Sequence, residues 1–351
     1  MKILFFINKL YGGGAERVAS ILMNHLCNNH NVCVVIFDDE TISYQLSDSI
    51  ATHKISTNGR CRITRLFKRL STIRKEIIKE SPDIIISFLT PINIYVLISS
   101  LFLRKKIIIS ERNTLKRVQS RFVRLLRRII YPFANNIVFV TEADRVKFRL
   151  SKKSTTIYNP AIFEPYTDYN NRQNTIISIA PTDRWYNKGL DILVKAWAEI
   201  APHNSTWNFE IYGRYNESVL PDDITLQKQV RLSWKGWNDN ISEVLRTKSI
   251  FILASRFEGC PNSLIEAMSQ GCACIGTNCE GGIKEIITDG IDGLIAESEN
   301  VNDIASKLQM LIDDENLRRE LSAKAIEKVK QFDKIAFFSK WDDLIDEVAT
   351  K

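Results

Sequence analysis

The sequence predicts an α/β protein made of two Rossmann-like, doubly wound domains. Three observations lead there. Apolar runs of strand length alternate with helical patterns along almost the whole chain, and such alternation builds parallel sheets. The 351 residues make two domains of ordinary size the default. A polar stretch after Tyr158-Asn159-Pro160, reaching Asn174, interrupts the alternation and reads as a linker. Two such halves are expected to enclose a cleft at the C-terminal ends of their strands, where ligands bind.

Element by element, Lys2–Ile7 is a strand, Gly12-Gly13-Gly14 a loop and Ala15–Cys27 a helix. Asn31–Phe37 is the next strand, Arg60–Glu80 a basic amphipathic helix and Asp83–Phe88 a third strand. Ile84 to Leu103 carries no charge and has the length of a membrane span, but Ser87, Thr90, Pro91, Asn93, Ser99 and Ser100 interrupt it. It divides better into a buried strand, a turn at Thr90-Pro91 and an apolar helix from Ile92. Lys106–Ser110 is a strand, Lys116–Tyr131 a second basic helix, Ile137–Val140 a strand and Glu142–Leu150 a helix. After the linker come strands at Thr175–Ala180, Trp207–Tyr212, Val230–Trp234, Ile250–Leu253 and Cys274–Thr277, with helices between them, among them Gly189–Ile200. Phe332–Lys351 closes the chain as an amphipathic helix.

Apolar content of 44% and charged content of 25% exclude a disordered, collagenous or coiled-coil chain. The net charge of +7 conceals an asymmetry: residues 1–165 carry +15 and residues 166–351 carry −8. A basic first half suits nucleic acid, an anionic membrane or an anionic substrate. The seven cysteines form no Cys-x-x-Cys pair and have apolar neighbours, so a reduced cytosolic chain with buried thiols is expected. No zinc-type ligand spacing occurs; His25 and His30 flank Cys27 in an Asn-rich turn that reads as solvated surface. The start, Met1–Ile7, is too short for a signal peptide.

Three loops carry chemistry. Gly12-Gly13-Gly14-Ala15-Glu16-Arg17 follows the first strand, where glycines allow close backbone approach and helix N–H groups attract anions; a tight turn without ligand accounts for it equally well. Glu258-Gly259-Cys260-Pro261-Asn262-Ser263-Leu264 opens a helix after Ile250–Leu253. Pro261 suits its first turn, which leaves the amides of Asn262, Ser263 and Leu264 for a diphosphate. Glu266, a turn further on, can accept from two vicinal hydroxyls; Glu258 and Glu266 as an ordinary solvated pair is the alternative. Arg184 with Lys188-Gly189 makes a diphosphate clamp between strand and helix, or simply a basic loop. Gly281-Gly282 followed by Glu285 repeats the loop-to-helix form.

Together these residues resemble the family 4 retaining glycosyltransferases of the GT-B fold. The motifs are the Gly-Gly-Ala-Glu-Arg start, Ser110-Glu111-Arg112-Asn113, Lys188-Gly189 and Glu258-x7-Glu266 in its Glu-Gly-x-Pro-Asn setting, which is the specific one. The chain looks most like bacterial members that extend undecaprenyl-diphosphate-linked oligosaccharides with a hexose or N-acetylhexosamine (GalNAc, GlcNAc, Gal or Glc). The Ser-Glu-(His/Arg)-Asn segment and Leu89-Thr90 after the third strand are typical of that group.

The resemblance implies an acceptor-binding domain at 1–165, a nucleotide-sugar-binding domain at 166–331 and a helix at 332–351 crossing back to the first. It implies that Gly13 and Gly14 lie against the UDP-sugar diphosphate, that Lys188 and Arg184 neutralise it, and that Glu266 binds the ribose. Glu258 and the backbone of Gly259, Cys260, Pro261 and Asn262 hold the transferred sugar. Arg112 stands where members often carry His; it cannot serve as a base at neutral pH and is expected to orient sugar or phosphate. Ala180-Pro181 replaces the usual Gly-Arg, which leaves open which arginine meets the diphosphate. With basic groups at the leaving phosphate, no metal or other cofactor is expected. Arg17, Arg121, Arg124, Arg127 and Arg128 are expected to face the acceptor and an anionic inner leaflet, with the enzyme peripheral on the cytoplasmic face. Rivals fare less well. A UDP-N-acetylglucosamine 2-epimerase needs acid/base groups, and the histidines lie outside the expected cleft. A solute-binding protein needs a secretion signal, and a nucleic-acid binder a recognisable module.

Overall fold

A computed structural model of the chain describes residues 1–37, 42–55, 61–114, 120–148, 153–221 and 231–351. Asp38-Asp39-Glu40, Arg60, Lys116, Arg117, Leu150 and Val230 lie outside the described residues. The chain forms two compact units, Met1–Asn159 with Ile335–Lys351, and Pro160–Lys334.

The first unit is a parallel sheet of β1 (Lys2–Ile7), β2 (Asn31–Ile36), β3 (Ala51–Lys54), β4 (Ile84–Phe88), β5 (Lys106–Glu111), β6 (Asn136–Phe139) and β7 (Ser154–Thr156). Its order is β3-β2-β1-β4-β5-β6-β7. The central strands are apolar on both faces because helices cover both sides. Alternate side chains enter different cores. Ile3, Phe5, Ile84, Ile86 and Phe88 meet the helix Gly14–Leu26 on one side. Leu4, Phe6, Ile85, Ile107 and Ile109 meet Ile73, Ile77, Ile92 and Val96 on the other. The charge-free stretch resolves into β4 and the helix Thr90–Ser99, and no helix among the described residues is long and apolar enough to cross a membrane.

The C-terminal helix Lys334–Thr350 completes this unit, as expected. Phe337, Trp341, Leu344, Ile345 and Val348 recur at helical spacing and join the core of Ile3, Phe5 and Val18. Trp341 stacks on Phe88 at 6.2 Å. His25, expected on a solvated turn, instead accepts this helix: its Nε2 lies 2.8 Å from Asp342 Oδ2 and its ring stacks on Phe338.

The second unit contains β8 (Gln173–Ile179), β9 (Asn208–Tyr212), β10 (Leu232–Gly236), β11 (Lys248–Leu253), β12 (Phe257–Glu258), β13 (Ala273–Thr277), β14 (Glu280–Gly281) and β15 (Leu294–Ala296). The main sheet runs β10-β9-β8-β11-β13-β15, while β12 pairs with β14. Ile176, Leu193, Trp197, Phe209, Ile250, Ile252 and Ile275 form part of its core. The units part after Asn159 and Lys334, against the expected 165 and 331, because the connecting segment is bonded to the second unit. Ala161 N–H donates to Phe332 O (2.7 Å), Tyr166 N–H to Ser269 O (2.9 Å) and Gln270 Nε2 to Glu164 O (2.8 Å).

In the first sheet the strand order reverses between β1 and β4; in the second it reverses between β8 and β11. Loops leaving the C-terminal ends of such strands splay to opposite faces and leave room for a ligand.

Candidate active site

The second unit carries the richer of these two switch points. After β8 the chain makes a 3₁₀ turn (Thr182–Arg184) and a short helix (Trp185–Lys188), then turns at Gly189 into the helix Leu190–Ile200. Gly189 has φ +61°, and a Cβ there would lie 2.0 Å from Ala254 O. Only glycine lets the Lys188 turn close on the end of β11. Lys188 Nζ then lies 2.5 Å from Glu258 Oε1, with both side chains largely covered. Ser255 Oγ donates to the same carboxylate oxygen at 2.7 Å.

Glu258 is held by its backbone as well. β12 pairs with β14, and Gly282 N–H donates to Gly259 O at 2.8 Å. A Cβ at Gly281, which has φ +132°, would lie 1.4 Å from Glu258 O, so no side chain fits at that position. Burial and then the Glu258 charge push the Cys279 thiol up to about 12, so it stays protonated beside the carboxylate.

The helix Asn262–Ser269 begins one residue later than expected, with Pro261 as its cap. Leu264 N–H donates to Pro261 O at 3.1 Å and Leu264 is buried. That amide is therefore engaged within the turn; this corrects its assignment among the groups open to a diphosphate. Glu266 is 4% exposed and Glu258 8%, which rules out the solvated pair. Carboxylates are buried at such levels only with partners. Arg184 is half-buried at the end of the 3₁₀ turn, and Gly259 to Asn262 join Glu258 to the helix.

Arg256 was not singled out in the sequence, although it stands two residues before Glu258. Its N–H donates to Asn187 O (2.9 Å) and its Nη1 to Tyr186 O (2.7 Å). Its guanidinium grips Asp191 with two bonds of 2.8 Å and donates to Glu299 at 2.9 Å. It therefore ties the Lys188 turn to the strand end that carries Glu258. Burial opposes ionisation of Asp191, but the Arg256 bonds and charge prevail and hold the carboxyl below its ordinary range.

The first unit presents a glycine turn at the end of β1. Gly13 caps the helix Gly14–Leu26, Tyr44 OH donates to Gly13 O at 3.0 Å, and a Cβ on Gly13 would lie 1.9 Å from Glu16 Oε2. Gly14 is exposed and Arg17 half-buried. At the end of β5, Arg112 is buried: Nε donates to Ser110 Oγ (2.9 Å), Nη1 bonds Asn159 Oδ1, and the guanidinium lies over Phe88. Glu111 beside it accepts from Thr90 Oγ1 (2.8 Å), Asn113 N–H (2.9 Å) and Tyr131 OH (2.5 Å). Burial and then the Glu111 charge raise the Tyr131 hydroxyl well above its ordinary range, so it remains a donor.

The basic helix, expected over Lys116–Tyr131, is shorter, and one of its arginines departs from the expected surface role. The described helix spans Arg121–Ile130, capped by Ser120 Oγ. Arg121, Arg124 and Arg128 are exposed, but Arg127 is 1% exposed and pairs with Glu111, Nη2 to Oε2 at 3.3 Å. Arg127 is thus a core residue and not part of a membrane face: a buried carboxylate needs a compensating charge, and the inward stripe supplies it. Elsewhere in this unit His53, Glu76 and Glu80 bring ligand-type atoms within 4.8 Å of one another. Lys2 and Lys79 compensate these carboxylates, with Lys2 Nζ 2.9 Å from Glu80.

Two parallel Rossmann-like units, each with a glycine turn at a switch point, make up the GT-B fold. Residues 12–161 match the family model Glycosyltransferase Family 4, and residues 167–328 match Glycosyl transferases group 1. The chain belongs to the family 4 glycosyltransferases and is a hexosyltransferase. It is 28% identical to the GalNAc-α-(1→4)-GalNAc-α-(1→3)-diNAcBac-PP-undecaprenol α-1,4-N-acetyl-D-galactosaminyltransferase of Campylobacter jejuni, over 99% of both chains. It is also 28% identical to that organism's N-acetylgalactosamine-N,N′-diacetylbacillosaminyl-diphospho-undecaprenol 4-α-N-acetylgalactosaminyltransferase, over 95% of this chain and 96% of the relative. Among solved structures, Anabaena HepE in complex with UDP superposes with TM-score 0.80 at 17% identity, over 99% of this chain and 100% of the other. The lipopolysaccharide outer core galactosyltransferase WaaB, in its apo form, gives 0.76 at 18%, over 99% of each chain.

Proposed function

We propose that this enzyme transfers an N-acetylhexosamine or hexose, GalNAc first among GalNAc, GlcNAc, Gal and Glc, from a UDP-sugar to an undecaprenyl-diphosphate-linked saccharide. It does so with retention and without a metal, in surface-polysaccharide synthesis. The observation that carries the reading is the Lys188–Glu258 arrangement at the ends of β8 and β11, with buried Glu266 one turn into the next helix.

The chemistry follows from charge. Cleaving the bond between sugar C1 and phosphate oxygen leaves UDP with an added negative charge and an oxocarbenium-like sugar. Lys188, with Arg184 on the preceding 3₁₀ turn, meets the charge that grows on the phosphate and lowers the barrier. Glu266 accepts from the ribose hydroxyls, and Glu258 from hydroxyls of the transferred sugar. The relatives' names specify α-linked products; from an α-configured donor, an α-product means retention. Attack from the face of the departing phosphate then needs no enzymic nucleophile.

The acceptor domain lies on an anionic cytoplasmic leaflet as a peripheral protein. Exposed Arg121, Arg124 and Arg128 beside exposed Phe122, Leu125 and Ile129 support this.

The test is a screen of UDP-GalNAc, UDP-GlcNAc, UDP-Gal and UDP-Glc with short-chain polyprenyl-diphosphate-linked saccharides, with product linkage read by NMR. Transfer should release UDP and survive excess EDTA. Interconversion of free UDP-sugars would favour the epimerase, binding without turnover a non-catalytic protein, and rescue by Mn²⁺ after EDTA a metal-dependent enzyme.

A further inference from the structure

Glu258 and Lys188 form one ion pair. Lys188 Nζ sits 2.5 Å from Glu258 Oε1, and Ser255 Oγ completes that oxygen at 2.7 Å. Both ends are fixed. Gly189 against Ala254 and Arg256 on Asn187 and Tyr186 hold the lysine turn, and the β12–β14 pairing holds the carboxylate. The pair is therefore built into the fold, and a diphosphate that needs Lys188 must compete with Glu258 for it.

We propose that Lys188 is shared between Glu258 and the donor diphosphate, and that the sugar decides the exchange, so that this pair discriminates UDP-sugar from UDP. This rests on the donor reading above. UDP bears one more ionisable oxygen than a UDP-sugar, so a purely cationic site holds product more tightly than substrate. A carboxylate accepts hydrogen bonds only. The hydroxyls of a bound sugar donate to Glu258 in place of the ammonium, and Lys188 can turn to the phosphates. UDP alone offers Glu258 no such donor. Drawing Lys188 away then deprives a largely buried carboxylate of its cationic partner, which is costly. The pair thus weakens product binding once the sugar has left.

Calorimetric titration of UDP and UDP-GalNAc into the full chain tests this with wild type, Glu258→Gln, Lys188→Met and the double variant. Glu258→Gln should bind UDP about 10-fold more tightly or better, the size of one released charged hydrogen bond. UDP-GalNAc should gain less, and product inhibition by UDP should rise. In the Lys188→Met background the gain from Glu258→Gln should disappear, a coupling that simple repulsion by Glu258 does not produce. No gain for UDP, or an equal gain in both backgrounds, overturns the sharing. If the Gln variant does not fold, Glu258→Asp shortens the arm and keeps the charge; it should give a smaller gain of the same sign, and its absence overturns the sharing equally. The donor reading fails separately: wild type would bind neither ligand, or Lys188→Met would leave both affinities unchanged.

Discussion

Glu266 lies on the inward side of its helix at 4% exposure, where a carboxylate is kept only for the partners it meets. Glu266→Ala should raise the donor KM and lower turnover together. Loss of a charged hydrogen bond of this kind costs about 1.5–3 kcal/mol, roughly 10–150-fold in kcat/KM. Steady-state kinetics on the folded variant checks this, and unchanged constants would remove Glu266 from the donor site. Glu266 was legible because its spacing from Glu258 is fixed by a helix start, a local feature. Arg127 was not. In sequence it is one of a run of arginines, and its role depends on Glu111, which is brought to it from the end of another strand. Replacing Arg127 by Met leaves that carboxylate buried without its ionic partner and should destabilise the fold by about 3–5 kcal/mol. Urea denaturation measures it; a loss under 1 kcal/mol would mean that the hydroxyls of Thr90 and Tyr131 suffice.

The helix Arg121–Ile130 shows three stripes. Val123, Leu126, Arg127 and Ile130 face the core, while Phe122, Leu125 and Ile129 are exposed beside Arg121, Arg124 and Arg128. The sequence showed the apolar spacing and the basic excess but not which apolar stripe packs inward, since both recur at three and four. Reversing Arg121, Arg124 and Arg128 to Glu, with Arg127 retained, should cut co-sedimentation with phosphatidylglycerol vesicles and leave the melting temperature little changed. Each basic group near such a surface contributes about 1 kcal/mol, screened by salt. Pelleting like wild type would remove this face as the membrane contact. The central strands and glycine turns were similarly legible, because apolar runs and close backbone approaches leave marks in composition. β3 (Ala-Thr-His-Lys) and β7 (Ser-Thr-Thr) were not, being short, polar edge strands. The β12–β14 pair was missed for another reason: two-residue strands carry no periodicity.

At the scale of the molecule, stability should depend on acid-sensitive ion pairs: Arg256–Asp191, which holds the Lys188 turn, and Lys248–Glu210, at 2.9 Å between β11 and β9. In both Asp191 and Glu210 burial opposes ionisation, yet Arg256 and Lys248 respectively hold the carboxyls below their ordinary range. A lowered folded value means that the unfolded chain binds more protons at acidic pH. The stabilisation is present above the unfolded values, near pH 4, and is lost as pH falls through the folded ones. The stability difference between wild type and Arg256→Gln should therefore shrink from pH 7 to pH 3, read by urea titrations at each pH. A constant difference would mean that Arg256 acts through its carbonyl bonds alone.

Lys188 is proposed to meet the charge that grows on the departing phosphate, and kinetics of Lys188→Ala in the UDP-release assay with a lipid-linked acceptor tests this most directly. An interaction made chiefly in the transition state lowers kcat more than it raises donor KM. We expect kcat to fall about 10²–10³-fold, the scale seen when one group stabilising transition-state charge is removed, with a smaller change in KM. A folded variant that keeps wild-type kcat, or that changes only in KM, would contradict the account.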